Sequence, residues 1–147
     1  SRHLTNTCLQ ENGNSTEGTV RRYWSLDDEI PGLESGWKGR VFDQICAVTG
    51  ETFEAASRGM LVHFQTLPNA FELFGLDYLV DAAGNAWLLE VNAFPDFGQT
   101  GDGLKHDVVG RLFEATINVA IKPFFDKSPA TDPDLRLVTD LDFGRKA

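Results

Sequence analysis

The chain has few of the residues that build covalent or metal-clustered scaffolds. Its two cysteines, Cys8 and Cys46, are too few for a disulfide framework, and they read as free thiols in a reducing compartment. The sequon Asn14-Ser15-Thr16 is then expected to go unused, with no secretory signal read before it. His3, His63 and His106 show no ligand spacing to one another. No apolar run approaches the roughly 20 residues that span a bilayer, so no membrane association is expected. Basic residues are scarce, 13 against 22 acidic, for a formal net charge of -9. That balance excludes a general binder of phosphate backbones, so direct nucleic-acid binding is not expected. A nucleotide stays possible, since a divalent cation can hold its phosphates. There is no G-x-S-x-G, and Cys8 has no base near it in sequence, so a serine or cysteine nucleophile lacks context.

What is present is enough for one domain with a core: 147 residues, 41% hydrophobic and 24% charged. The chain opens SRHLTNT without an initiator Met and reads as a piece of a longer protein. Ser1 to Leu9 is strand-like, and Gln10 to Gly39 is a long polar excursion with short helical turns near Ser25 to Ile30. A helical pattern begins at Arg40, with Val41, Ile45, Val48, Phe53, Ala56, Met60 and Phe64 on one face. Gly50 is a point where this run could divide into two helices. A second helix starts near Asp102 and is expected to end at Pro123, which has no amide proton to donate. Beyond it, Phe124 to Ala147 is charged and broken by Pro129 and Pro133, with one short strand expected over Leu135 to Val138.

Between the helices, FGLDYLVDAAGNAWLLEVN (Phe74 to Asn92) reads as two apolar strands around a turn. Alternation puts Leu73, Gly75, Asp77 and Leu79 on one face of the first strand and Phe74, Leu76, Tyr78 and Val80 on the other. On the second strand, Glu90 and Asn92 share a face with Ala86 and Leu88, opposite Trp87, Leu89 and Val91. Pairing Asp81 with Ala86 sets Asp77 against Glu90 and Gly75 against Asn92, and makes the Trp87, Leu89 and Val91 face core. Two carboxylates directly across a ladder repel. Either they share a solvated face, one of them with a raised pKa, or a divalent cation bridges them with the Asn92 carbonyl oxygen as a further hard ligand. Gly75 leaves space beside such a cluster. Asp81 is assigned to the turn and Asp96 to the loop that follows.

The stretches HLTNTCLQ (His3 to Gln10), FELFGLDYLVD (Phe71 to Asp81) and WLLEVNAFP (Trp87 to Pro95) resemble the tubulin–tyrosine ligase family of ATP-grasp enzymes. The likeness runs from about Arg2 to Phe125, and its wording is closest to fungal members, some associated with mRNA processing bodies. It implies an α/β (α+β) fold, an antiparallel sheet packed by helices, forming the C-terminal part of an ATP-grasp domain over residues 1–126, with a C-terminal tail over 127–147. It further implies ATP- and Mg²⁺-dependent joining of an amino acid to a protein carboxylate through an acyl-phosphate, in a cytoplasmic protein. Asp77, Glu90 and Asn92 would be the Mg²⁺ ligands, and Thr5, Asn6, Asp77 and Glu90 would line the nucleotide. The tubulin C-terminus would be the default acceptor.

The family's nucleotide-gripping lysine and basic peptide-binding residues, which lie upstream of HLTN, have no counterpart here. An active fragment is therefore not expected from this chain alone. Two other readings stand beside the default: an ATP-grasp ligase for a different acceptor, and a truncated, non-catalytic interaction module.

Overall fold

The computed structural model describes residues 21–97 and 104–143. These fall into two compact units, one holding residues 21–26, 96–97 and 104–134 and the other residues 27–95 and 135–143. Thr5, Asn6 and the strand expected over Ser1 to Leu9 lie outside the described residues.

The second unit is a helix against a hairpin. Helix α1 spans Trp37–Gly59, three residues earlier than the apolar pattern alone marks, because Gly36 adopts a left-handed conformation (φ 75°) that turns the chain into the first helical turn. Trp37, Val41, Cys46, Gly50 and Ser57 form its buried side. Gly50 does not divide the helix. Its missing side chain lets the segment after Leu135 approach: a Cβ there would lie 2.8 Å from the Val138 carbonyl oxygen. Arg136 fastens the same segment, with a 2.7 Å bond to Asp43 and its guanidinium over the Phe42 ring. The segment is not a strand: among the described residues the sheet holds the two hairpin strands alone. Past the end of α1, Phe64 and Phe74 close on Phe53, with ring centroids 5.1 to 6.1 Å apart.

Strands β1 (Gly75–Val80) and β2 (Ala86–Asn92) form a two-stranded antiparallel sheet. Such a hairpin is marginal alone and needs a packing partner. Here α1 supplies one through polar contacts. The Tyr78 hydroxyl lies 2.9 Å from Thr49 Oγ1 and donates to the Ile45 carbonyl at 3.3 Å. Gln44 grips the turn, donating to the Gly84 carbonyl (2.9 Å) and accepting from the Ala86 amide (3.2 Å).

In the other unit, a helical run covers Lys105–Asp126 as π-turns over Lys105–Gly110 and Ile117–Ile121 alternating with α2 (Arg111–Thr116) and α3 (Lys122–Asp126). Val109, Ala115 and Thr116 are its buried residues. Pro123 does not end this run but sits in the first turn of α3. In a regular α-helix its ring would meet the carbonyl four residues back; the wider π-turn just before it moves that carbonyl aside. Arg111 with Asp134 (2.9 Å) and Asn118 with Asp132 (2.7 Å) tie the following segment to the run, and Arg22 pairs with Asp107.

Candidate active site on the hairpin

The turn sets the geometry of the site. Asp81 does not pair in the ladder. Its carboxylate accepts from the amides of Ala83 and Asn85, from the Asn85 carboxamide and, at 3.0 Å, from the Trp87 indole. The Asn85 donors first, and the indole after them, hold this carboxyl far below the ordinary aspartate range. Gly84, at φ 80°, takes the left-handed position the turn requires. Pairing therefore starts at Val80 with Ala86, one residue short of the expected register.

The register is restored further along. Tyr78 pairs with Leu88, but Asp77 lies opposite Glu90, Leu76 opposite Val91 and Gly75 opposite Asn92. The strand β2 carries one extra residue, Leu89, as a β-bulge between these two sets. Asp77, Glu90 and Asn92 thus occupy one face, the face turned away from the Tyr78–α1 contact. The bulge also corrects the expected core. Leu88, not Leu89, shares the α1 side with Tyr78, while Trp87 moves to the face of the acids, opposite Leu79. Trp87 is 57% exposed and Leu89 63%, so the face read as wholly core is not buried there.

Among the described residues the two acids interact as an uncompensated pair. The Asp77 carboxyl is raised, first by the hydrogen bond it shares with Glu90, then by burial and by the Glu90 charge. Asn92 Nδ2 donates to Glu90 Oε1 at 3.3 Å, which leaves Asn92 Oδ1 for another partner. Among the described residues no three His, Cys, Asp or Glu side chains gather. The donor set is two carboxylates and an amide oxygen. All are hard oxygen donors, and among the described residues their negative charge is unopposed. This suits Mg²⁺, which takes oxygen ligands, keeps waters and shares phosphate oxygens rather than needing a full protein cage. The space over Gly75 is taken by Pro95: a Cβ on Gly75 would stand 3.1 Å from Pro95 Cβ and 3.8 Å from Asn92 Cβ. The glycine therefore seats the loop after Asn92 rather than leaving room for an ion.

An apolar cleft of about 700 Å³ lies elsewhere in this unit, lined by Phe53, Phe64, Leu67, Phe71, Phe74 and Leu76 among others. Leu76 and Phe74 alternate away from Asp77, so the cleft opens on the opposite side of β1 from the acids. Gln44, which fixes the turn, escaped the sequence reading because a lone glutamine on a helix carries no pattern. The Asp81–Trp87 bond could have been suspected only from the loop length.

The tubulin–tyrosine ligase family model matches residues 1–129. The chain belongs to the tubulin–tyrosine ligase family. A probable tubulin–tyrosine ligase of Schizosaccharomyces pombe is 41% identical over 135 residues, covering 92% of this chain and 31% of that protein. A second, PBY1 of Saccharomyces cerevisiae, is 39% identical over 143 residues, covering 94% of this chain and 18% of that protein. Among solved structures, the C-terminal domain of K. lactis Pby1, an ATP-grasp enzyme interacting with the mRNA decapping enzyme Dcp2, superposes with a TM-score of 0.63 at 36% identity. That match covers 72% of this chain and 30% of the other. The fold is thus α/β, helices with an antiparallel hairpin, and is a portion of the ATP-grasp architecture. This family member spans under a third of the length of these relatives. Among the described residues no helix is long and apolar enough to cross a membrane.

Proposed function

We propose that the protein to which this chain belongs is an ATP- and Mg²⁺-dependent ligase that joins an amino acid to a protein carboxylate through an acyl-phosphate. The observation that carries this reading is the Asp77–Glu90 cross-strand pair with Asn92 on the same face, in a member of a ligase family. Asp77, Glu90 and Asn92 would hold Mg²⁺; Thr5 and Asn6 would line the nucleotide with Asp77 and Glu90. Bound there, the cation would neutralise charge as the γ-phosphoryl moves, which is where most of the catalytic effect lies in phosphoryl transfer. The chain's own contribution is position. The bulged ladder sets the two carboxylates opposite each other, and α1 holds the hairpin from behind through Tyr78 and Gln44.

Tyrosine and the tubulin C-terminus are the default pair by family. With a net charge of -9, this chain repels an acidic tail, so the acceptor must be gripped by basic residues elsewhere in the protein. One observation favours a different acceptor: the solved relative interacts with Dcp2, which points to the decapping machinery as a partner and to cytoplasmic processing bodies as the location. The test uses the full-length protein. Asp77→Asn and Glu90→Gln are expected to weaken Mg·ATP binding at least about tenfold with the fold retained, since even the loss of a group that only supports a metal ligand costs about 10–100-fold. Product is sought on detyrosinated tubulin and on decapping proteins in parallel. Unchanged nucleotide affinity in both variants would leave a non-catalytic interaction module as the surviving reading.

A further inference from the structure

Residues 135–143 form neither helix nor strand, and three contacts lay them along α1. Arg136 bonds Asp43 at 2.7 Å and sets its guanidinium over the Phe42 ring. The Val138 carbonyl oxygen passes 2.8 Å from where a Cβ on Gly50 would stand. The Arg58 guanidinium lies over the Phe143 ring, 5.9 Å from its centroid. From Asp43 to Arg58 the helix rises about 22 Å at ~1.5 Å per residue. From Arg136 to Phe143 an extended chain reaches about 23 Å at ~3.3 Å per residue. The two lengths agree, so the segment runs stretched beside α1, in the same direction, from one anchor to the next. At about 100° per residue, Cys46, Ser57, Gly50, Asp43 and Arg58 fall within an arc of about 120° on the helix. Cys46, Gly50 and Ser57 are buried, and Cys46 lies within electrostatic reach of Arg136. Gln44 and Thr49, which hold the hairpin, fall outside that arc.

We propose that residues 135–143 are a strap that lifts from α1 as one unit while the rest of the fold stays closed, and that this opening admits reagents to the Cys46 thiol. The inference stands apart from the ligase reading. The anchors are of the weak kind. The Arg136 and Asp43 side chains are 53% and 65% exposed, and an ion pair so open to water contributes little. The contact of Arg58 with Phe143 is of the exposed cation–π class, because the Arg58 side chain is itself 55% exposed. Leu137, between the first two anchors, is 80% exposed and buries little. No ladder adds to them, since among the described residues the sheet holds the two hairpin strands alone. A segment held this way opens far more readily than a helix packed on its other side unfolds. What it uncovers is a shallow strip of small side chains, Cys46, Gly50 and Ser57, narrow enough for an extended backbone to lie on. The bonds from Gln44 and Thr49 to the hairpin are on another side of α1 and stay in place when the strap leaves.

The experiment alkylates the full-length protein with iodoacetamide under native conditions, where the Cys46 sulfur displaces iodide and its proton goes to solvent. Trypsin then releases residues 41–58 as one peptide in which Cys46 is the sole cysteine, and its mass gives the labelling rate at that site. Phe143→Ala removes the anchor farthest from the thiol, about 18 Å along the helix at ~1.5 Å per residue. It is expected to raise the rate about threefold. Arg136→Ala loses both the Asp43 bond and the Phe42 contact. It is expected to raise the rate about tenfold, with Arg136→Lys restoring most of the difference. Tyr78→Phe loosens the hairpin side of α1 and is expected to leave the rate unchanged. An unchanged rate in Phe143→Ala or in Arg136→Ala overturns the proposal. So does a failure of either variant to fold, which makes that residue core. An equal rise in Tyr78→Phe overturns it too, because Cys46 is then reached through unfolding of the whole unit.

Discussion

Replacing Asp77 by Asn turns the cross-strand repulsion into a measurable stability difference. Like charges directly opposite on an antiparallel pair cost on the order of 0.2–1 kcal/mol, and exposure and salt hold the Asp77–Glu90 cost inside that range. For a protein of this size 1 kcal/mol corresponds to roughly 2–4 °C in melting temperature. In EDTA at neutral pH, Asp77→Asn is therefore expected to melt about 1–3 °C above the native chain. The pH dependence has a definite sign. The Asp77 carboxyl is raised in the folded state, chiefly by the hydrogen bond shared with Glu90. The folded chain thus binds more protons than the unfolded one between the ordinary value of 3.8 and the raised value. Stability falls as pH rises across that window, and the penalty is complete above it. The advantage of Asp77→Asn should shrink as pH falls through that window, where the folded Asp77 carboxyl takes up its proton. Mg²⁺ at about ten times its dissociation constant adds roughly 1.4 kcal/mol to the form that binds it. Excess Mg²⁺ should lift the native chain past the variant and leave the variant in place. Circular dichroism melts across pH, with EDTA or Mg²⁺, decide the matter. A variant that melts lower in EDTA, with equal Mg²⁺ shifts in both proteins, would refute the electrostatic account of the pair.

Other positions give separate outcomes. Gly50→Ala should gain up to about 1 kcal/mol of helix propensity but lose roughly 1–3 kcal/mol to the clash 2.8 Å from the Val138 carbonyl. Gly39→Ala on the same helix meets nothing within 4 Å and should be stabilising; urea titrations of the two variants check the opposed signs. Tyr78→Phe removes the hydroxyl that meets Thr49 and Ile45 and should cost about 0.5–1.5 kcal/mol, with Mg·ATP affinity in the full-length protein unchanged by calorimetry. Asp81 is held below the ordinary 3.8 by its Asn85 and Trp87 donors. Its contribution is present above that value and is lost as pH falls toward the depressed folded value, so Asp81→Asn should lower the melting temperature at neutral pH and flatten the acid limb of the stability curve.

The hairpin, both helices and the shared face of Asp77, Glu90 and Asn92 were legible because each rests on a period, two for strands and 3.6 for helices. The bulge was not, and the reason is specific. From Asp77 to Val80 and from Ala86 to Glu90 the strands differ in length by one residue, which shows only once the loop length is known. The loop length is set by Asp81, whose carboxylate gathers four donors and leaves the ladder. No alternation rule registers that competition. Gly50 and Pro123 misled for a related reason. Both weaken an isolated helix, and both sit where the fold uses what they lack: a Cβ at Gly50, where the Val138 backbone passes, and an amide proton at Pro123, in a first turn behind a π-turn. Thr5 and Asn6 lie outside the described residues, so their roles rest on the family motif.

The bulge also divides the hairpin's work between its faces. On the α1 side, Tyr78 and Ala86 are fixed by Thr49, Ile45 and Gln44, contacts that are polar and directional. On the other side, among the described residues, Asp77 and Glu90 meet only each other and Asn92, with Trp87 and Leu79 exposed beside them. A chain selected for stability alone would reverse this, pairing its charges and burying its aromatics. Anchoring one face tightly lets the opposite face carry an unfavourable pair in place; on the ligase reading proposed above, a cation would bind there without reorganising the strands. On the same proposal the net charge of -9 would not oppose nucleotide binding. Where a divalent ion stands between carboxylates and phosphates, nearby acids attract the ion first, and the phosphates follow it.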